Sequence, residues 1–100
     1  MTVRIVVTPE AEEQVRAIDT WWRNERPAAP GLFSEELAAA FALLGDAPQA
    51  GRRYPHATVS DVRRVLLRAC RYHVYYRLHE NDAVVLAVWS AVRGVGPELK

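Results

Sequence analysis

Hydrophobic positions along this chain change their period several times. Val3 to Val7 is a short run rich in β-branched residues and predicts a strand. Behind it, Ala11, Val15, Ile18 and Trp22 recur at spacings of four, three and four, which is one apolar stripe of a helix. Thr8 is placed to cap that helix, Pro9 is tolerated at its first position, and Glu10, Glu12 and Glu13 lie near the positive end of its dipole. The helix is expected to run to about Asn24, because Arg26-Pro27-Ala28-Ala29-Pro30-Gly31 continues it poorly. Phe33, Leu37, Ala40, Phe41 and Leu44 mark the apolar face of a second helix over Leu32–Leu44, with Gly45 as its C′ residue and Pro48 beyond. The two predict an antiparallel helical hairpin.

After a long connection over residues 45–61, of a length that is usually functional or mobile, the period drops to two. Val62 to Ala69 reads as a strand. Over Arg71 to His79 the alternation is clean: Tyr72, Val74, Tyr76 and Leu78 point one way, and Arg71, His73, Tyr75, Arg77 and His79 the other. A turn at Glu80-Asn81-Asp82 leads into Ala83–Val92, apolar on both faces and therefore central in its sheet. Whether that turn has two or three residues decides which face of the last strand meets the helices. Arg93-Gly94-Val95-Gly96-Pro97 opens a short tail. The order β-α-α-β-β-β predicts a single α+β domain over residues 1–100, its helical hairpin packed on one face of a mainly antiparallel four-stranded sheet.

Composition narrows the class. Half the 100 residues are hydrophobic and a quarter charged, as in an ordinary globular domain. The single cysteine, Cys70, excludes an internal disulfide framework and a cysteine-based metal cluster. No apolar run approaches a membrane span, and Val3–Val7 is too short for a secretory segment, so a cytoplasmic protein is expected. The net charge of +1 hides an asymmetry: residues 1–50 carry four arginines against eight carboxylates, and residues 51–100 carry eight arginines and one lysine against four. Arginine, twelve of the thirteen basic residues, suits bidentate recognition of carboxylate or phosphate.

The candidate chemistry follows that asymmetry. His56, His73 and His79 have no metal-ligand spacing, so no metal and no cofactor is expected. Cys70, beside Arg68 and Arg71, reads as a small apolar filler rather than an activated thiol. Arg63, Arg64, Arg68, Arg71, Arg77 and Arg93, interleaved with Tyr72, Tyr75, Tyr76 and Trp89, are suited either to holding phosphates and stacking bases or to anchoring a protein partner. The plain alternative is a solvated face of arginines over core tyrosines. Trp22 falls on the core stripe, while Trp21 lies about 100° around the helix, at the edge of a wide apolar face or exposed as an anchor.

Several segments in order resemble one family. They are the strand ending in Thr8-Pro9-Glu10-Ala11, the two helices, Pro48-Gln49-Ala50-Gly51, and the strands Val62-Arg63-Arg64-Val65-Leu66-Leu67, Arg71-Tyr72-His73-Val74-Tyr75-Tyr76-Arg77 and Val85-Leu86-Ala87-Val88-Trp89 with Arg93 following. The chain resembles the RelE/ParE superfamily of toxins from bacterial type II toxin–antitoxin systems, some of which act in plasmid stabilisation. The resemblance implies growth inhibition, silenced by a cognate antitoxin that covers the toxin with a helix or an extended, acidic segment in a hetero-oligomer. RelE-like members cut mRNA on the ribosome; that reading assigns proton transfer to His73 and Tyr75 and phosphate neutralisation to Arg68, Arg71 and Arg93. ParE-like members are associated with DNA gyrase. Here Leu99 stands near the place of a C-terminal catalytic tyrosine or histidine, Lys100 is the only lysine, and the isoelectric point is about 8.0. These departures favour the ParE-like side, with Arg52, Arg53, Arg64, Arg68 and Arg77 as target-binding candidates and Trp21, Trp89 and Arg71 as antitoxin-binding ones. A degenerate toxin that only binds antitoxin is the third reading.

Overall fold

The structure is a computed structural model and describes residues 2–99. Its elements are β1 (Arg4–Val7), α1 (Pro9–Glu25), α2 (Leu32–Asp46), β2 (Arg52–Arg53), β3 (Val62–Leu67), β4 (Tyr72–His79) and β5 (Asp82–Ser90). One sheet runs in the order β1-β5-β4-β3-β2, with β1 parallel to β5 and every other pair antiparallel. The parallel pair is possible because the helical hairpin carries the chain from one edge of the sheet back across its face. β5, apolar on both sides, lies between β1 and β4 as its sequence predicts.

α1 begins as its sequence indicates: the Thr8 hydroxyl accepts a hydrogen bond from the Ala11 N–H at 3.2 Å, and Pro9 takes the first helical position. At its far end the Trp22 indole donates to the Ala29 carbonyl at 2.9 Å, which ties the proline-rich link to the helix it follows. α2 runs two residues past the predicted end. Gly45 is therefore not a C′ residue but lies inside the last turn, where its carbonyl accepts from the Val3 N–H at 2.9 Å. Ala47 caps the helix in its place through a 2.7 Å bond to the Leu43 carbonyl, and Pro48 follows.

The sheet has five strands instead of four. The extra one is Arg52–Arg53, inside the segment expected to be a plain connection, paired with Arg64 and Arg63 of β3. Two residues are too few for a periodic signal, so pattern reading does not find them. The same loop is knotted to the core by Tyr76. Its buried hydroxyl donates to the Pro48 carbonyl at 2.7 Å and accepts from the Gly51 N–H at 2.9 Å. Arg63 Nη1 donates to the Gly51 carbonyl at 2.9 Å. A β-carbon on Gly51 would sit 2.6 Å from the Tyr76 oxygen, so only glycine admits this approach. The β3–β4 connection begins earlier than predicted. Strand pairing ends at Leu67, Arg71 turns into the left-handed region at φ 64°, and the Glu36 carboxylate accepts from the Ala69 and Cys70 N–H groups at 3.0 and 2.9 Å.

Register along β4–β5 is interrupted once. Tyr75 pairs with Ala87 and Tyr76 with Val85, so Leu86 is an extra residue on β5. Ala83, Val85 and Val88 face the helices, in one core with Phe33, Leu37, Leu44, Val74 and Tyr76. Leu86 and Ala87 both face away, in a second cluster with Val59, Val62, Tyr75 and Leu99. The bulge allows one strand to serve two cores whose spacings do not share a strict alternation.

Candidate functional site: the basic face of the sheet

The face turned away from the helices gathers arginine and aromatic side chains from four segments. Strict alternation along β4 puts His73, Tyr75 and Arg77 there, and pairing adds Arg64 opposite Tyr75, Arg52 opposite Arg64, and Trp89 opposite His73. Tyr54, just past β2, completes the group. The Arg64 guanidinium lies 4.9 Å from the centre of the Tyr54 ring and 5.9 Å from that of Tyr75, and its Nη1 is 3.4 Å from the Tyr75 hydroxyl. Tyr54 and Tyr75 meet edge to face at 4.9 Å, and His73 and Tyr75 at 5.9 Å. Arg64 is thereby held in one place before any ligand arrives. The Arg77 Nε atom is buried with no hydrogen-bond partner among the described residues.

This face is not open throughout. Tyr75 is 2% exposed, covered by the second cluster. Pro97 and Leu99 of the tail are buried as well. The Trp89 indole donates to the Val95 carbonyl at 3.0 Å, and the Arg93 guanidinium stacks 4.9 Å above the Trp89 ring. Of the proposed proton-transfer residues, the structure therefore brings His73 and Tyr75 together but buries the tyrosine. Arg93 sits beyond the end of β5 and Arg71 in the β3–β4 turn. Burial, with Arg64 nearby, lowers the His73 pKa below the ordinary histidine value, so the ring is neutral at pH 7.

The charge distribution is the most informative property. Arg4 pairs with Asp82, Arg16 with Glu12 and Arg23 with Asp19. Among the described residues, none of the eight arginines of the second half forms such an ion pair. Arg52 faces Arg64 and Arg53 faces Arg63 directly across β2–β3, an arrangement of like charges that disfavours the pairing. Arg52, Arg53, Arg68, Arg71 and Arg93 are exposed. Such a surface attracts carboxylate or phosphate, and its rings offer stacking partners.

The other singled-out residues fall elsewhere. Trp21 is 44% exposed at the rim of α1, with its ring edge on Trp22 and the Arg26 guanidinium 5.2 Å above it. His56 Nδ1 accepts from the Thr58 and Val59 N–H groups and shapes a loop. Cys70 is buried, and burial together with the Glu36 carboxylate pushes its thiol up to about 12, the behaviour of a filler rather than a nucleophile. Among the described residues no three His, Cys, Asp or Glu side chains gather as metal ligands, and no helix is long and apolar enough to cross a membrane.

Residues 5–94 match the family model described as ParE toxin of type II toxin–antitoxin system, parDE. The chain belongs to the ParE toxin family. Solved structures agree on the fold. One, from a chromosomal ParDE toxin–antitoxin system of P. aeruginosa, superposes with a TM-score of 0.69 at 17% identity, covering 89% of this chain and 96% of that one. Another, an arginine-to-alanine mutant of E. coli toxin RelE in the free state, gives 0.64 at 17% identity, covering 92% and 86%. Among curated proteins none matches. For this ParE-family chain, sequence reasoning missed Tyr54 and the covering role of Leu99. Tyr54 stands in an aperiodic segment, and Leu99 was read as a missing catalytic group. The only local signal for either was an aromatic or apolar residue in an otherwise polar stretch.

Proposed function

We propose that this ParE-family chain inhibits growth by binding a macromolecular target through its basic sheet face, with DNA gyrase as the target the family implies, and that a cognate antitoxin neutralises it by covering that surface. The observation that carries this reading is the set of eight second-half arginines, none of them ion-paired with a carboxylate among the described residues. Such a set is suited to an acidic protein surface or to phosphates. Of the five target-binding candidates, Arg52, Arg64 and Arg77 share that face and form the group; Arg53 pairs with Arg63 on the opposite face, and Arg68 lies in the β3–β4 turn. The depth at which Tyr75 is buried favours binding over proton transfer, because a general acid or base must reach its proton within hydrogen-bonding distance.

One observation favours a second reading, ribosome-dependent mRNA cleavage. His73, its pKa lowered by burial and by Arg64, meets the Tyr75 ring edge to face and lies opposite Trp89. Growth arrest on induction, with gyrase supercoiling and mRNA cleavage measured in the same cells, separates the two. Target binding predicts that the parent chain and His73→Ala arrest growth with supercoiling lost and mRNA intact, while Arg52→Glu with Arg64→Glu restores both growth and supercoiling. Cleaved mRNA that disappears with His73→Ala overturns the proposal in favour of the nuclease. Normal growth without antitoxin indicates a degenerate toxin.

A further inference from the structure

The β2–β3 pairing sets four arginines in a block, two on each face of the sheet. Arg52 and Arg64 stand on the outer face. Arg53 and Arg63 stand side by side on the other, where Arg63 lies opposite Tyr76 of the helix-facing core. The two pairs differ in what surrounds them. Arg64 rests against the rings of Tyr54 and Tyr75. Among the described residues neither Arg53 nor Arg63 lies over a ring or pairs with a carboxylate. Their mutual repulsion is uncompensated, and it falls on a two-residue strand at the sheet edge. An anion between the two guanidinium groups relieves it.

The place for that anion is already shaped. Arg53, Asp61, Arg63 and Leu78 line a cavity of about 220 Å³. Arg63 is half-buried, and its Nη1 donates to the Gly51 carbonyl at 2.9 Å and to the Gln49 carbonyl at 3.4 Å. These bonds fix the side chain and leave the other donors of its fork for a ligand. Arg53 is exposed and adds a second fork. Two arginines match a phosphate monoester, with a charge of about −1.5 to −2 at pH 7, better than a carboxylate or a diester. Asp61 narrows the choice. It sits just before β3 in the left-handed region, at φ 60°, and forms no ion pair among the described residues. A carboxylate repels a bare phosphate but accepts from a hydroxyl, so it favours a ligand that carries a hydroxyl beside its phosphate. Leu78 offers an apolar surface to the carbon atoms of such a ligand.

We propose that this cavity binds a sugar phosphate, free or as part of a mononucleotide. The phosphate bridges Arg53 and Arg63, a hydroxyl donates to Asp61, and the sugar carbons lie on Leu78. The site is on the opposite face from the target-binding group and does not depend on the toxin reading. Ribose 5-phosphate, adenosine 5′-monophosphate and inorganic phosphate are titrated calorimetrically into the full chain at pH 7 and constant ionic strength. Ribose 5-phosphate is expected to bind about fivefold or more tightly than inorganic phosphate, the effect of one added hydrogen bond. Arg53→Gln relieves a like-charge pair, so it melts no lower than the parent, and it weakens ribose 5-phosphate about tenfold. Asp61→Gly suits the left-handed backbone and removes the carboxylate, so inorganic phosphate binds more tightly and the preference for ribose 5-phosphate disappears. Adenosine 5′-monophosphate that displaces ribose 5-phosphate supports a nucleotide site, and failure to displace it supports one for free sugar phosphates. Three results overturn the proposal: equal affinity of the parent for ribose 5-phosphate and inorganic phosphate, binding of neither, or an affinity that responds to Arg52→Gln and not to Arg53→Gln. The last places the anion on the outer face.

Discussion

Replacing Tyr76 with phenylalanine removes one oxygen atom and releases the loop that carries Arg52 and Arg53. The hydroxyl is the donor for the Pro48 carbonyl and the acceptor for the Gly51 N–H, at 2.7 and 2.9 Å, and Tyr76 is fully buried. Pro48 and Gly51 are buried too, so water does not readily replace the lost partner. An orphaned buried polar group costs about 1–3 kcal/mol, and the two share one cavity, so the expected loss is about 2–4 kcal/mol. In a domain of this length, where each kcal/mol moves the midpoint by about 4–8 °C, melting falls by about 8–32 °C. Urea denaturation of Tyr76→Phe against the parent measures the free energy. Amide exchange at Gly51 gives a local readout, since its N–H loses its acceptor. A loss below about 0.5 kcal/mol, with Gly51 still protected, refutes the reasoning and shows that the loop is held by other contacts, Arg63 first among them.

Three further outcomes are expected. Cys70, with its thiol pushed up to about 12 by burial and Glu36, resists iodoacetamide at pH 8 and reacts only on unfolding; rapid labelling of the native chain contradicts this. Glu36→Ala orphans the Ala69 and Cys70 N–H groups and costs about 1.5–3 kcal/mol at pH 7. Burial pulls the Glu36 pKa upward, but hydrogen bonds from Cys70 and Ala69 outweigh it and hold the pKa below the ordinary value. Its stabilisation is thus complete above the unfolded pKa and is lost as pH falls through the folded one, so the gap between parent and variant narrows in acid melts. Leu99→Ala destabilises by about 2–3 kcal/mol in the same assay, because the side chain is seated among Val62, Tyr75, Leu86 and Ala87; an unchanged midpoint refutes that seat.

Much of the fold is legible in the chain. Thr8-Pro9 starts α1, the stripe Ala11–Val15–Ile18–Trp22 places it against the sheet, and the alternation of Tyr72–His79 separates a helix-facing set from a basic set. These are local effects, because capping and periodicity depend on residues within a turn or two. The basic face was legible as a list of residues but not as a surface. Nothing local shows that Tyr75 shares a buried cluster with Leu99, twenty-four residues away, or that Arg64 lies against both Tyr54 and Tyr75.

The sequence by itself determined the element types, the charge split between the two halves, and the family. Only the tertiary structure decided which arginines stand together and what covers them. The physical reason is pairing between distant segments: the β2–β3 and β3–β4 registers bring Arg52, Arg64 and Arg77 to one face, and the extra residue at Leu86 turns Ala87 toward the second core. A bulge reverses both the side-chain face and the hydrogen-bonding direction of everything after it, and pairing with β4 sets its position, not any residue pattern within β5.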